Sequence, residues 1–417
     1  MPRYRSVLFA YTANELAWIV SLLTVAVVVY RRTGSALGTT AYFLCSQFLP
    51  ALVAPAFVAR LEQRPTRLVL AALFAAQGAV AAVLGLVAHE VPLAPLLVIV
   101  TLAGLGALIT RVFNRVAMLS VTTPAGLLRE GNAVANAAFT VTIFVGPLVG
   151  GLVTALGSAR IALFGDAVLL AAAAAVVLFT LEVPAVTTKA RPPARRRVRA
   201  AIAYASRHRQ IRLLLVLQAI ALLFFTISVP VEIVLVQHSL HRGAGAYGAV
   251  LSSWGGGAIV GSAIYVRWRM LPARQTIAVG AGALGIGFLV MASAPTIAVA
   301  IVGAAVGGIG NGSEAVAVRT VLQEQVEEHW MAMVMSLNDS ISQSVPGAGI
   351  LLGGGIAVLA GPRVAFAVAG VGALVVTAAA WVMMRPGPES SDRDDAAAEL
   401  SDRDGERGLR SSGAHPG

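Results

Sequence analysis

Five carboxylates stand inside long apolar runs of this chain: Glu15, Asp166, Glu232, Glu314 and Asp339. A charge at the centre of a bilayer costs a few kcal/mol even on lenient scales, so such a residue must face a cavity or a partner. Around Glu15 the pattern is explicit. Tyr11, Asn14, Glu15, Trp18 and Ser21 recur at spacings of three and four, which puts them on one stripe of a helix whose other faces are apolar. That stripe faces water or protein, about 12–15 Å in from the helix start at 1.5 Å per residue. Desolvation favours the neutral form of a carboxyl group, so a carboxylate held there can take up and release a proton. Glu15 therefore has two readings: a proton-coupling group, or a static partner of an asparagine or arginine.

The other acids divide differently. Glu314 follows "GIGNG" close to Arg319 and reads as a structural gate. Glu232 follows Pro230 near the end of its run, as an outer gate or a substrate contact. Asp166 and Asp339 are expected near helix N-termini, where the macrodipole favours anions. Asn132, Asn136 and Thr140 make one polar stripe, and Ser336, Asp339 or Ser340 and Gln343 another; both read as helix-to-helix glue. Trp18, Phe224 and Phe225 are candidates for stacking on a flat or cationic ligand.

The elements that carry these residues are membrane spans. The 417-residue chain is 57% apolar and only 12% charged, with a mean hydropathy of +0.80, against about 25% charged residues in soluble proteins. Runs of about 20 apolar residues, long enough to cross a bilayer, begin near residues 6, 38, 66, 92, 133, 160, 211, 246, 274, 296, 333 and 362. The expected fold is an all-α membrane protein with about twelve transmembrane helices in two pseudo-symmetric six-helix halves. The first run is expected to be a span and not a cleavable signal: it is long, contains Glu15 and is followed by "YRRTGS". The expected partition is 1–184, a basic linker over 185–210, 211–385, and a disordered tail over 386–417.

Arginine placement orients the chain. "RLEQRPTR", "NRVAMLSVTTPAGLLRE", the segment from Lys189 to Arg212, "RWRMLPAR" and "RTVLQEQVEEH" hold most of the basic residues, and the alternate connections hold few. By the positive-inside rule both termini are expected in the cytoplasm; the expected location is a plasma membrane, the inner one in a bacterium. The pI near 10.9 thus reflects topology and not nucleic-acid binding. The lone cysteine, Cys45, can form no internal disulfide. With no GxxxxGK[ST] loop and no histidine–cysteine cluster, neither an ATPase nor a metal site is expected. The chain is read as a non-enzyme with no cofactor and as a monomer, whose partners are lipid, protons and a small molecule.

The two halves repeat. "LGSARIALF" at 156–164 returns as "AGPRVAF" at 360–366, Pro147 as Pro346, and Arg115 as Arg319, all at an offset of about 200 residues. "VYRRTGSALGTTAYFLCSQFLPALVAPAFVARL", "LLREGNAVANAAFTVTIFVGPLVGGLV", "AYGAVLSSWGGGAIVGSAI" and "GGIGNGSEAVAVRTVLQEQV" together resemble the major facilitator superfamily, and within it the enterobactin-exporter-like group of efflux carriers. The resemblance covers residues 1 to about 385. It implies alternating access, and export of a drug, siderophore or secondary metabolite by proton antiport. An importer or uniporter of the same fold, or a membrane sensor that transports nothing, are the rivals.

The resemblance also assigns residues. Gly146, Pro147, Gly150 and Gly151 match the family's fifth-span antiporter motif and would form a hinge, though the same glycines also suit plain helix packing. The family's first, fourth, seventh and tenth spans line its cavity, so Glu15, Glu232 and Glu314 become proton-coupling candidates. Tyr11, Asn14, Trp18, Arg111, Asn114 and Asn311 become cavity candidates. Arg60, Glu62, Arg64, Arg67, Arg115 and Asp339 become gating candidates. Two departures stand out. The loop "APAFVARLEQRPTRLVL" lacks the usual glycine and aspartate, leaving Glu62 as its acid, and "TLAGLGAL" lacks the fourth-span arginine of drug antiporters.

Overall fold

A computed structural model of the protein describes residues 2–181, 202–267 and 273–383. The expected tail, and most of the basic linker, lie outside the described residues. Twelve helices are long and apolar enough to cross a membrane. They are α1 (Tyr4–Thr33), α2 (Ala36–Leu61), α3 (Thr66–Val87), α4 (Leu93–Thr122), α5 (Glu130–Leu156), α6 (Ala159–Thr180), α7 (Arg209–Ser239), α8 (Ala244–Arg267), α9 (Gln275–Ser293), α10 (Ile297–Leu322), α11 (Met333–Ala360) and α12 (Pro362–Met383). No strand occurs among the described residues. The chain is thus a multi-pass, all-α membrane protein. Side chains such as Phe179, 82% exposed, would be a liability in water and are at home against lipid.

Short turns fix antiparallel neighbours. Gly34, at φ +58°, reverses the chain between α1 and α2, and Gly361, at φ +91°, does so between α11 and α12; both lie in the left-handed region that favours glycine. Ser158 caps α6 by accepting from the Ile161 N–H at 3.3 Å. Two spans are irregular inside. α2 widens to a π-helix over Leu44–Phe48. α7 stops being helical after Ile227, turns through residues 228–231, and resumes as Glu232–Val234 and a π-helix over Leu235–Ser239. Pro230 explains the break, since it has no N–H to donate and its ring crowds the preceding turn.

The packing has a direction. At the end that carries the α2–α3, α4–α5 and α10–α11 turns, here the basic end, two apolar cores lie apart. One joins Val7, Phe74, Phe113 and Leu170 of the first six helices. The other joins Ile211, Leu322 and Val334 of the last six, with Tyr204 and Trp330 stacked at 4.6 Å. At the opposite end one core runs through both sets, from Leu23 and Tyr42 to Ile233, Tyr247 and Phe366. Glycines permit this contact. A Cβ on Gly255 would lie 2.7 Å from the Ile143 carbonyl oxygen, and one on Gly151 would lie 2.9 Å from Gly248 Cα. On the other side of the bundle, Gly354 of α11 sits against Thr40 of α2 and Gly347 against Phe48. The two six-helix sets therefore close on each other away from the basic end and part towards it.

Candidate functional site

Three groups of polar side chains face the interior. The first lies between α1 and α4. Glu15 is fully buried, and Arg111 grips it with two hydrogen bonds, from Nε to Oε1 at 2.8 Å and from Nη2 to Oε2 at 2.6 Å. Asn14 donates from Nδ2 to the same Oε1 at 3.2 Å. Bidentate guanidinium–carboxylate pairs are the strong form of this contact. The Arg111 side chain keeps 40% of its surface exposed, so the pair is open to water on the arginine side. Tyr11 is near enough to feel both charges. Asn114 is buried, and neither its amide nitrogen nor its oxygen has a partner among the described residues. Tyr11, Asn14, Glu15, Arg111 and Asn114 are thus brought together. Trp18 is not part of this group: with Ser21, Ser46 and Gln77 it lines a void of about 40 Å³ inside the first six helices.

The second group lines a cavity of about 680 Å³ towards the basic end, between α7, α10 and α11. Gln218, Asn311, Glu314, Arg319, Asn338 and Asp339 contribute to it. The Glu314 side chain makes no hydrogen bond or ion pair with another described residue. Neither do the Gln218 Oε1 and Asn338 Oδ1 atoms, both buried. Sequence reading passed over Gln218, although the internal repeat points to it. The offset that carries Arg160 onto Arg363 carries Glu15 onto Gln218 and Arg111 onto Glu314.

The third group lines a chamber of about 270 Å³ between the two six-helix sets, built from α1, α2, α5, α7, α8, α9 and α12. Its walls are apolar and aromatic. Trp254 stacks on Phe288 at 5.4 Å and lies 5.6 Å from Phe225, and Phe366 meets Phe288 edge-on at 5.8 Å. Gly307 makes room for the indole, since a Cβ there would strike the ring, and Gly308 lets α10 approach the Trp254 backbone. Glu232 is the one carboxylate in the lining, with Gln47, Ser228 and Tyr247 as the other polar groups. Phe225 lines both the chamber and the wider cavity, so the two adjoin. Trp254, Phe288 and Phe366 were missed in the sequence, where single aromatics among many apolar residues carry no signal of convergence.

The fifth-span motif lies where three helices meet. Gly146 and Gly150 pack on Ile19 and Val20 of α1, Gly151 packs on α8, and Pro147 lines the chamber with its carbonyl against Gly248. The gating candidates behave otherwise. Arg60, Glu62, Arg64, Arg115 and Asp339 are exposed and Arg67 half-exposed, and none makes an ion pair with another described residue. Two expectations need correction. Asp166 is not in the first turn of its helix: it is buried in α6 and accepts a hydrogen bond from Ser21 Oγ at 2.6 Å. Asp339 also lies well inside its helix, Glu328–Ala360. Of the stripe of Asn132, Asn136 and Thr140, the two asparagines are exposed and Thr140 is half-buried.

Residues 214–411 match the family model of the Major Facilitator Superfamily. No curated protein matches the chain. Among solved structures, the nucleoside transporter NupG superposes with a TM-score of 0.68 at 12% identity, over 93% of this chain and 100% of that one. A bacterial homologue of the iron transporter ferroportin, in an inward-facing state, superposes at 0.69 and 15% identity, over 92% and 98%. The human organic anion transporter MFSD10 (TETRAN) does so at 0.64 and 15%, over 91% and 99%. At these identities the likeness is one of fold alone.

Proposed function

We propose that the protein is a secondary transporter that works by alternating access and exports a small amphipathic molecule across a plasma membrane in exchange for protons. The observation that carries this reading is the cleft. It is open at the basic end, closed at the other, and ends in a chamber between the two six-helix sets. With the arginine-rich end in the cytoplasm, by the positive-inside rule, the structure is the state that loads from inside. The halves would then be residues 1–184 and 211–385, rocking about the glycine contacts of α5 with α8 and α2 with α11.

Among the carboxylates, Glu314 suits proton coupling best. It borders the cavity open to the basic end and is held by no partner among the described residues. Glu15 is already neutralised by Arg111 and suits a fixed brace between α1 and α4. The resemblance of "FVGPLVGGLV" to the antiporter motif favours export.

The test is efflux from loaded cells and inside-out vesicles over a panel of lipophilic cations, catecholate siderophores and neutral amphiphiles, with and without a proton gradient. Gradient-dependent movement that Glu314→Gln abolishes is expected. Movement indifferent to the gradient would replace the antiporter with a uniporter. No movement of any compound, with a tail deletion of residues 386–417 changing some other phenotype, would favour a sensor.

A further inference from the structure

The chamber between the helix sets holds a carboxylate that nothing else in the fold accounts for. Glu232 sits just past the Pro230 break in α7, half-buried among Ile19, Leu23, Leu251 and Met291. Its side chain makes no hydrogen bond or ion pair with another described residue. Glu15 and Asp166, by contrast, are buried and partnered. A carboxylate withdrawn from water without a partner is costly, and an opposite charge is what relieves the cost. Tyr247 shares the lining with it, and a phenol can donate one hydrogen bond but brings no positive charge.

The rest of the lining selects the same sign. Phe225, Trp254, Phe288 and Phe366 supply aromatic rings, and ring faces attract cations within about 6 Å. An anion would meet both the carboxylate and the π-density. A neutral ligand would leave the carboxylate unpaired. At about 270 Å³ the chamber lies just under the usual ligand-pocket range of about 300–1,000 Å³, which favours a compact molecule. Entry from the wider cavity passes Phe225, which borders both spaces.

We infer that this chamber is the substrate site of the carrier and takes a compact monovalent organic cation with a flat ring, Glu232 acting as its counter-ion and Phe225, Trp254 and Phe288 as its aromatic wall. This rests on the transporter reading and divides the labour: Glu232 holds substrate while Glu314 handles the proton.

The experiment uses the full chain in lipid nanodiscs with no gradient, and tritiated 1-methyl-4-phenylpyridinium as the probe in a scintillation proximity assay. Saturable binding to the wild type is expected. Glu232→Gln and Trp254→Leu should each weaken it about tenfold or more, while Glu232→Asp, which keeps the charge, should retain most of it and shows that the site tolerates substitution. 4-Methylbiphenyl, the neutral isostere, should compete poorly. Equal binding by Glu232→Gln, equal competition by the neutral isostere, or no binding to the wild type would each overturn the assignment. Efflux measured in parallel separates the two readings. A protein that expels a neutral or anionic compound under a gradient but ignores the pyridinium keeps the transporter reading and loses the cation site.

Discussion

Removing Arg111 should be among the most damaging single changes at the centre of the bundle. Glu15 is 0% exposed, and its two oxygens take their donors at 2.8 and 2.6 Å from one guanidinium. Breaking a buried ion pair by deleting one partner costs about 3–5 kcal/mol, because the survivor stays desolvated. The arginine side chain is 40% exposed, so water tempers the loss, and the lower end, about 3 kcal/mol, is the expected cost of Arg111→Gln. Replacing both partners is different. In Glu15→Gln/Arg111→Gln no charge remains buried and Asn14 can still bond the amide, so about 2 kcal/mol of the loss should return as coupling energy. Unfolding by SDS titration in mixed micelles, on the four members of the cycle, reads these values. The double variant should also keep gradient-driven efflux, since the pair is a brace and not a proton carrier. The reasoning fails if Arg111→Gln costs no more than about 0.5 kcal/mol, the range of ordinary surface changes, or if the two losses simply add.

Three further outcomes follow from the same geometry. In a Cys45→Ala background, cysteines at Thr40 and Gly354 should cross-link on oxidation: a Cβ on Gly354 would lie 2.8 Å from Thr40 Cβ, so the two helices need only ease apart to about 3.5–4.5 Å, the separation that a disulfide spans; the bond should arrest transport and reduction should restore it. Gly248→Val should disrupt the closed end, since its side chain would strike the Pro147 carbonyl and Gly151; a loss of about 1–3 kcal/mol and increased labelling of cysteines placed on the outer side are the measurements. The Arg160–Glu90 pair, 2.6 Å long but 49% and 69% exposed, should matter little: Glu90→Ala should shift unfolding by less than about 1 kcal/mol.

How far the sequence could be read follows from what each feature depends on. The spans are legible because burial in lipid is a local property: every run of about 20 apolar residues reports itself, and the twelve helices fall on the expected runs. The Glu15 stripe is legible for the same reason, since helical spacing is local. Its partner was not. Arg111 lies far along the chain, and no spacing says that α4 packs against α1 at that height. The aromatic chamber is harder still, because its lining comes from seven helices and each contributes residues that look like ordinary core. The exception is Gln218. It was within reach, for the repeat that pairs Arg160 with Arg363 also places Gln218 opposite Glu15. An uncharged residue in an apolar run drew no attention.

That correspondence leads to a sharper test of where coupling resides. The first half holds its α1–α4 acid and base as a closed pair, whereas the second half has Glu314 on α10 and only an amide, Gln218, on α7. A proton arriving at Glu15 must first displace a guanidinium; at Glu314 it displaces nothing. The asymmetry predicts that giving the second half its own pair will silence it. Gln218→Arg puts a guanidinium into the cavity that Glu314 lines, and an arginine stays charged and holds a nearby carboxylate ionised. The variant should fold and should still bind the pyridinium probe, because Gln218 does not line the chamber. Its efflux should lose dependence on the proton gradient or cease. Gln218→Leu, which adds no charge, should keep the gradient dependence. If Gln218→Arg transports with the wild-type response to the gradient, Glu314 is not the group that titrates, and the coupling must be sought elsewhere.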